Sequence, residues 1–181
     1  MLTMGQLADT FYSETLKALS ISEIQTSSVA NGLSFVVGVN SAIDTIDIAA
    51  PLNILLIAPD DDKLIHLGVA ISIVSAGSFD TFEDDGNLAH FNVSGGVALT
   101  SLNRNRNSLI ASDVLAYSAP TVTAATDDAR ILSERIGGVL GGDVREGSYL
   151  ILKKNTKYLF RIRTDADNNE GSITLSWFRF P

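Results

Sequence analysis

The back two-thirds of the chain alternates apolar and polar residues in short runs, which is the pattern of β-strands with one buried face. Two C-terminal runs, over residues 157–164 and 172–180, show it most clearly. Apolar side chains that share a face are Tyr158, Phe160 and Ile162 in the first run, and Ile173, Leu175 and Trp177 in the second. Earlier runs predict strands over residues 33–39, 53–57, 64–74, 88–93, 97–102, 109–117, 121–125 and 148–152. Many short strands separated by turn residues predict an all-β antiparallel sandwich or barrel.

Residues 1–30 have a different pattern, that of an amphipathic helix followed by a linker. Leu7, Phe11 and Leu16 approximate a one-sided apolar stripe, as on a helix that packs against another surface. We therefore divide the chain into an N-terminal helical arm and linker over residues 1–30 and a β-sandwich domain over residues 31–181. Leu7 and Phe11 are candidate interface contacts of the arm, either within the domain or on a neighbouring subunit.

Glycine and acidic clusters interrupt the strand pattern at three places. Gly77 and the cluster 84–87 predict turns, and Gly95-Gly96 predicts a hairpin turn. The glycines of residues 137–142 predict a flexible or tightly turned loop. This stretch is not a phosphate-binding loop, because the Lys-Ser/Thr that would follow the last glycine is missing. Residues 129–136 fit a helix and a strand equally well.

Composition narrows the possible chemistry. The chain has 181 residues, of which 45% are apolar and 19% charged, so it is a folded domain rather than a disordered one. It contains no cysteine, which excludes disulfides and thiolate metal sites. The net charge is −8, which argues against non-specific nucleic-acid binding.

Charge is unevenly distributed, and no targeting segment is visible. Residues 1–100 hold two basic residues against twelve acidic ones, whereas residues 101–181 hold eleven against nine. Such asymmetry favours opposed surfaces that orient subunits or partners, although acidic loop tips such as 60–62 explain it too. The first 19 residues lack a basic start, and the apolar stretches are too short to span a bilayer. We expect no membrane partner.

The stretch 103–108 reads Asn-Arg-Asn-Arg-Asn-Ser. Arg104 and Arg106 are two positions apart and would project from the same side of an extended chain. Planar guanidinium groups make bidentate contacts with carboxylates. Arg104 and Arg106 are therefore candidates for salt bridges with another subunit or a partner. A polar turn with two solvent-facing arginines explains the stretch equally well.

Asp165, Asp167 and Asn169 have the spacing of oxygen ligands in a calcium loop. The glycine of such a loop falls one place late here, and no closing glutamate follows. A plain hairpin loop between two strands is the favoured interpretation, and we predict no metal site and no cofactor.

No motif indicates catalysis. Glu134, Asp143 and Glu146 could supply the carboxylate pair of a glycosidase, but any acidic sandwich offers such residues. Aromatic residues concentrate near the C-terminus, at Tyr149, Tyr158, Phe160, Trp177, Phe178 and Phe180. A core role for them is favoured over a sugar-stacking platform.

Several segments, in their order and spacing, resemble a pattern that recurs in small structural proteins of tailed bacteriophages. They are 95–108, 133–138, 141–142, 150–162 and 167–177. The resemblance covers residues 64–181, and residues 1–60 do not share it.

The resemblance implies a virion component of the head-decoration, or cement, type, with a jelly-roll-like sandwich assembled as a homotrimer and no catalytic residues. We therefore expect a non-enzymatic protein that is made in the host cytoplasm and binds the major capsid protein on the capsid surface. A tail-fibre or receptor- and glycan-binding module is the first alternative, and a glycan hydrolase is the second.

Overall fold

The computed structural model describes residues 26–41, 45–84, 90–122, 129–137 and 143–179, with the side chains of 143–149 left aside. Within these ranges a short helix over residues 26–30 precedes thirteen strands. The strands are β1 Ser34–Asn40, β2 Leu52–Ile57, β3 Ile65–Ile73, β4 Gly77–Asp84, β5 Phe91–Asn92, β6 Val97–Leu99, β7 Leu102–Asn103, β8 Leu115–Ser118, β9 Thr121–Val122, β10 Arg130–Ile136, β11 Asp143–Leu152, β12 Lys157–Thr164 and β13 Gly171–Arg179.

Two antiparallel sheets stack face to face. The five-stranded sheet has the order β11-β3-β13-β1-β7, and the six-stranded sheet has the order β10-β4-β12-β2-β8-β6. The first four strands, β1 to β4, do not pair with one another. Each pairs mainly with one or two of the last four strands, β10 to β13.

Eight of the strands form a jelly roll. The chain alternates between the two sheets from β1 to β4, enters the six-stranded sheet again at β10, and alternates to the end of β13. The nested pairing of early with late strands in two packed sheets is the jelly-roll arrangement. The predicted all-β, jelly-roll-like sandwich is therefore confirmed, and the short helix 26–30 lies within the predicted N-terminal arm.

The segment between β4 and β10 is an insertion in this jelly roll, and it extends both sheets on the same side. β7 adds to the five-stranded sheet next to β1, while β8 and β6 add to the six-stranded sheet beyond β2. β5 and β9 form a separate two-stranded ribbon. This ribbon packs on the outer face of the six-stranded sheet, where Phe91 and Val122 join a second apolar cluster.

The main core fills the space between the two sheets. Alternation places one set of side chains inward on each long strand, as the sequence predicted for β3, β12 and β13. The bulkiest buried aromatic side chains of this core are Trp177, Tyr158, Phe35, Phe79 and Phe160. Burying one such ring stabilises a fold by about 1.5–3 kcal/mol. Tyr158, Phe160 and Trp177 are thus core residues, as expected.

The phenol of Tyr158 remains satisfied inside this core. Its Oη accepts a hydrogen bond from the backbone N–H of Lys153 at 2.8 Å. Burial raises the pKa of Tyr158 well above its ordinary value, so the ring stays neutral. The contact ties the end of β11 to the start of β12, across the two sheets.

Three local predictions are wrong. Turns were expected at Gly77 and over 84–87 with no strand between them, whereas residues 77–84 form β4, which lies between β10 and β12 in the six-stranded sheet. Gly95-Gly96 does not close a hairpin, because β5 pairs with β9 and β6 pairs with β8. The loop 165–170 is not a hairpin loop either, because it crosses from β12 in one sheet to β13 in the other.

Candidate interaction surface

Residues 102–110, which we call the braced loop, comprise β7 and the turns that follow it at the edge of the sandwich. Its alternate asparagines face the protein. Asn103 Nδ2 donates to the carbonyls of Gly32 and Ile110 at 2.8 and 2.9 Å. Asn105 Nδ2 donates to the carbonyl of Ala30 at 2.9 Å. The loop is thereby fastened to the segment that joins the helix 26–30 to β1.

The asparagine side chains also shape the loop itself. Asn103 Oδ1 accepts the backbone N–H of Asn105 at 2.9 Å, and Asn105 Oδ1 accepts that of Asn107 at 3.1 Å. Such side-chain bonds two residues along the chain are the Asx turns that asparagine favours. These asparagine bonds add to the pairing of β7 with β1 and reduce the freedom of the residues that follow it.

A close approach at Gly32 completes the bracing. Gly32 has a positive φ of 71°, and a Cβ at this position would lie 2.1 Å from Ser108 Oγ. Only glycine leaves room for Ser108 there and adopts this backbone without strain. The turn after the helix and the braced loop therefore depend on each other.

The side chains between the asparagines face solvent. Arg104 and Arg106 are both exposed, as their spacing predicted. Leu109 is fully exposed, and Leu102 and Ile110 are about half exposed. The braced loop thus presents two guanidinium groups and three exposed aliphatic side chains to solvent.

Ion pairs fasten the chain just beyond the braced loop. Arg179, at the end of β13, donates to Asp113 and to Asp61. Asp62 pairs instead with Lys154, with 2.6 Å between Oδ1 and Nζ. Asp61 and Asp62 of the acidic triplet therefore have different partners, and Arg179 ties both Asp61 and Asp113 to the end of β13.

The three residues with calcium-loop spacing serve as structural contacts. Asp165 pairs with Arg135 through both carboxylate oxygens, at 3.0 and 2.5 Å. Asp167 Oδ1 accepts the backbone N–H of Ile48 at 2.9 Å. Asn169 is buried, and its Oδ1 accepts two backbone N–H groups. Their oxygens bond to protein groups in different directions. Across the residues that the structure describes, no cluster of three or more acidic or histidine side chains could hold a metal ion.

The outer face of the six-stranded sheet carries a charged cluster that the sequence did not reveal. Asp80 on β4 is fully buried, yet it points away from the main core. Arg163 on β12 pairs with it at 2.7 Å, and Arg130 on β10 lies 3.6 Å away. Arg161 lies opposite Asp80 in the strand register. Asp80, Arg130 and the pair on β12 are at least thirty positions apart along the chain, so only the topology brings the three strands' side chains together.

The outer face of the five-stranded sheet has a different chemistry. His66 on β3 stacks on Phe178 of β13, with ring centroids 4.9 Å apart. Ser72 and Ser172 share a hydrogen bond of 2.7 Å. Other outward positions are Val36, Gly38, Gly68, Ala70, Thr174 and Ser176. Among the described side chains, this face holds no Asp, Glu, Lys or Arg.

The remaining sequence candidates are spread over the molecule. Leu7 and Phe11 lie outside the described residues. Glu134 lies on β10 in the six-stranded sheet, whereas Asp143 and Glu146 lie on β11 in the five-stranded sheet. No helix in the described part of the chain has both the length and the apolar composition needed to cross a membrane.

The fold and the braced loop define an all-β jelly-roll protein with an exposed surface suited to protein contacts. Comparisons of the chain with protein-family models, with curated proteins and with solved structures found no match.

Proposed function

We propose that the chain is a non-enzymatic structural protein of a bacteriophage virion, of the capsid decoration or cement type, that binds the major capsid protein through its braced loop. The observation that carries the proposal is the loop itself, in which side-chain bonds to Gly32 and Ala30 hold Arg104, Arg106 and Leu109 out in solvent. The resemblance of residues 64–181 to small phage structural proteins supplies the particular class.

The energetics favour a protein partner for this loop. A fully exposed Leu109 leaves apolar surface in water, and burying such a side chain stabilises a complex by about 1.5–3 kcal/mol. Arginine is among the residues that contribute most at interfaces, because its planar fork binds carboxylates. Because the loop is already fastened, less conformational entropy is lost on binding than for a free loop.

Assembly into a closed trimer would multiply a modest contact. In a homotrimer each subunit presents one braced loop, and simultaneous engagement raises the overall affinity by about 10²–10⁴-fold when the geometry permits it. The jelly roll occurs in capsid proteins and in lectins alike. The fold therefore does not select a function by itself, and the loop carries the argument.

The glycan-binding alternative has less support from the described residues. It required exposed aromatic rings for sugar stacking, whereas Tyr158, Phe160 and Trp177 are buried in the core. The hydrolase alternative required converging carboxylates, and Glu134 lies on a different sheet from Asp143 and Glu146.

A binding experiment on particles tests the proposal. Purified chain is added to particles that lack it, prepared from the phage that encodes it, and its occupancy is measured by co-sedimentation and a low-resolution map. We expect the Arg104→Ala/Arg106→Ala variant to bind at least about tenfold more weakly, from the loss of charge-assisted contacts of about 1.5–3 kcal/mol each. Its unfolding free energy is expected to change by less than about 0.5 kcal/mol.

The matched control is the Lys153→Ala/Lys154→Ala variant, which removes the same charge from two exposed side chains on another loop. It should bind as the wild type does. If the two variants lost the same binding affinity, the loss would be due to the change in net charge, which would contradict a role for the braced loop. Absence of the chain from purified particles by mass spectrometry would contradict the virion assignment itself.

A further inference from the structure

The two sheets of the sandwich end in four edge strands, and three of these carry features that discourage pairing with another chain. β10 carries Arg130, Glu134 and Arg135, and β11 has a register shift between Glu146 and Ser148. β7 has only two residues. Charged side chains, bulges and very short strands are common means of protecting an exposed edge.

The fourth edge strand, β6, has no charged residue to protect it. It is short, with three residues, but the chain around it, residues 91–103, contains no Asp, Glu, Lys, Arg or Pro. Val97 is 64% exposed, and Ala98 is exposed on the opposite face. β8 pairs with one side of β6, and no other segment of the described chain makes a backbone hydrogen bond with Val97–Leu99. The outer side of β6 is therefore open to a further strand.

The turn before β6 fixes the position of this edge. Asn92 Oδ1 accepts the backbone N–H of Ser94 at 3.0 Å, and the N–H of Gly96 donates to the carbonyl of Val93 at 2.9 Å. Thr121 Oγ1 donates to the carbonyl of Ser94. After β6 the chain passes almost directly into β7, which pairs with β1. Because β6 is extended and held before a partner arrives, little conformational entropy is lost on pairing.

A second copy of β6 fits this edge in an antiparallel, symmetric register. With Ala98 on a two-fold axis, Val97 of each chain lies opposite Leu99 of the other. Both cross-strand pairs on that face are then aliphatic, which stabilises an antiparallel pair. Leu99 is partly buried against the main core, so the valine of the partner would extend this core.

Charge also favours a second copy at this edge. Each chain has a net charge of −8, so two copies repel one another where acidic residues meet. Pairing through β6 brings no acidic residue of residues 91–103 into contact, because there is none. The next charged residues along the chain, Arg104 and Arg106, are positive and reduce the repulsion further.

We propose that β6 is a self-association edge, through which two copies of the chain pair antiparallel about a two-fold axis at Ala98. The pairing joins two six-stranded sheets into one continuous sheet. The contact is smaller than the roughly 1,200–2,000 Å² of a standard interface, so the dimer is weak and depends on protein concentration. Its symmetry is closed. It does not use the arginines of the braced loop and does not rest on the proposed function.

Disulfide formation across the two-fold axis tests the register. The chain has no cysteine, so Ala98→Cys introduces a single thiol. The two Cα atoms at position 98 would be about 4.5–5.5 Å apart, which suits a disulfide. Under a mild oxidant, the linked dimer should form at least about tenfold faster than in Ile131→Cys. Ile131 is 48% exposed on β10, at the other edge of the same sheet. Equal rates in the two variants would overturn the proposal.

Two further variants separate strand pairing from general charge effects. Val97→Lys, added to Ala98→Cys, should slow dimer formation at least about tenfold, because a charge on an edge strand blocks pairing. Val74→Lys adds the same charge at a valine that is 57% exposed after β3 and should leave the rate unchanged. Equal slowing by the two lysines contradicts the proposal.

The wild-type chain provides a test that needs no variant. The NMR signals of the backbone amides of residues 97–99 should shift as the protein concentration rises, whereas those of β10 should not. Signals of residues 97–99 that do not depend on concentration overturn the proposal, even if a thiol variant folds poorly.

Discussion

The outer face of the six-stranded sheet carries Asp80, Arg161 and Arg163 beside an apolar cluster, whereas the described side chains on the outer face of the five-stranded sheet include no Asp, Glu, Lys or Arg. The inner faces of both sheets are alike, since both contribute alternate aliphatic and aromatic residues to one core. The outer faces differ because the insertion between β4 and β10 covers only one of them. Its β5–β9 ribbon buries Phe82 and Leu159 from the outside.

This difference shows how an insertion changes what a strand can carry. Where the ribbon covers the six-stranded sheet, β4 and β12 are apolar on both faces, as strands buried on both sides are. Where the cover ends, the same strands carry the arginines and Asp80. The five-stranded sheet has no such cover among the described residues. Beside small and hydroxyl-bearing side chains, its outer face carries Ile151 and the stacked rings of His66 and Phe178.

The largest expected effect comes from the covered half of the six-stranded sheet. Phe82→Ala should lower the unfolding free energy by about 3–5 kcal/mol, because it leaves a cavity under the ribbon. Phe178→Ala removes a ring of the same size from the outer face of the five-stranded sheet and should cost about 1 kcal/mol, the scale of its stacking on His66. Urea denaturation measures both. Equal losses would mean that the second face is covered too.

A smaller effect is expected at the charged half of the same face. Asp80→Asn leaves Arg163 and Arg130 without their shared carboxylate and should lower the unfolding free energy by about 2 kcal/mol. Removing one partner of a buried ion pair typically costs roughly 3–5 kcal/mol. We expect a smaller loss here because both arginines are partly solvated. Asp62→Asn, at a carboxylate with a 92% exposed side chain, is the control and should change stability little. Similar values for the two variants would contradict a central role for Asp80.

The smallest effect concerns pH at the solvent-exposed pair of Asp165 and Arg135. The hydrogen bond from Arg135 lowers the pKa of Asp165 below its ordinary 3.8. A carboxyl group whose pKa is lowered by folding stabilises the folded protein at pH values above its ordinary pKa. This stabilisation is lost as the pH falls through the lowered pKa. Arg135→Gln should therefore lower the denaturation midpoint slightly at about pH 6 and not at about pH 2. A difference that persists unchanged in acid would contradict the pairing.

The sequence predicts the strands that keep a strict period of two. β13 alternates along its whole length and β12 does so from Phe160 onward, and their inward residues are those expected. β4 escaped prediction because Phe79 faces the main core while Phe82 faces the ribbon, so no alternation is visible. The uncertain stretch 129–136 has a register shift between Arg130 and Leu132, which disturbs the period. A similar shift between Glu146 and Ser148 made β11 look shorter than it is.

The candidate surfaces divide in the same way. The spacing of Arg104 and Arg106 predicted that both side chains would project outward together. Both are exposed, because the alternating asparagines bond to nearby backbone groups. The role of Gly32 and Ala30 in bracing the loop could not be predicted, since these residues lie some seventy positions earlier. The cluster around Asp80 was missed for the same reason, although Arg161 and Arg163, on alternate positions of a strand, were a usable signal for a charged outer face.

The nested pairing of early with late strands has a consequence for the ribosome-bound chain. β1 to β4 have no main partners until β10 to β13 have been made, and about 95 residues separate the end of β4 from the end of β13. At a synthesis rate of about 5–20 residues per second, the four apolar strands wait for roughly 5–20 s. During that interval their aggregation-prone edges depend on chaperones or on the early insertion strands β7 and β8, which are the first available partners of β1 and β2.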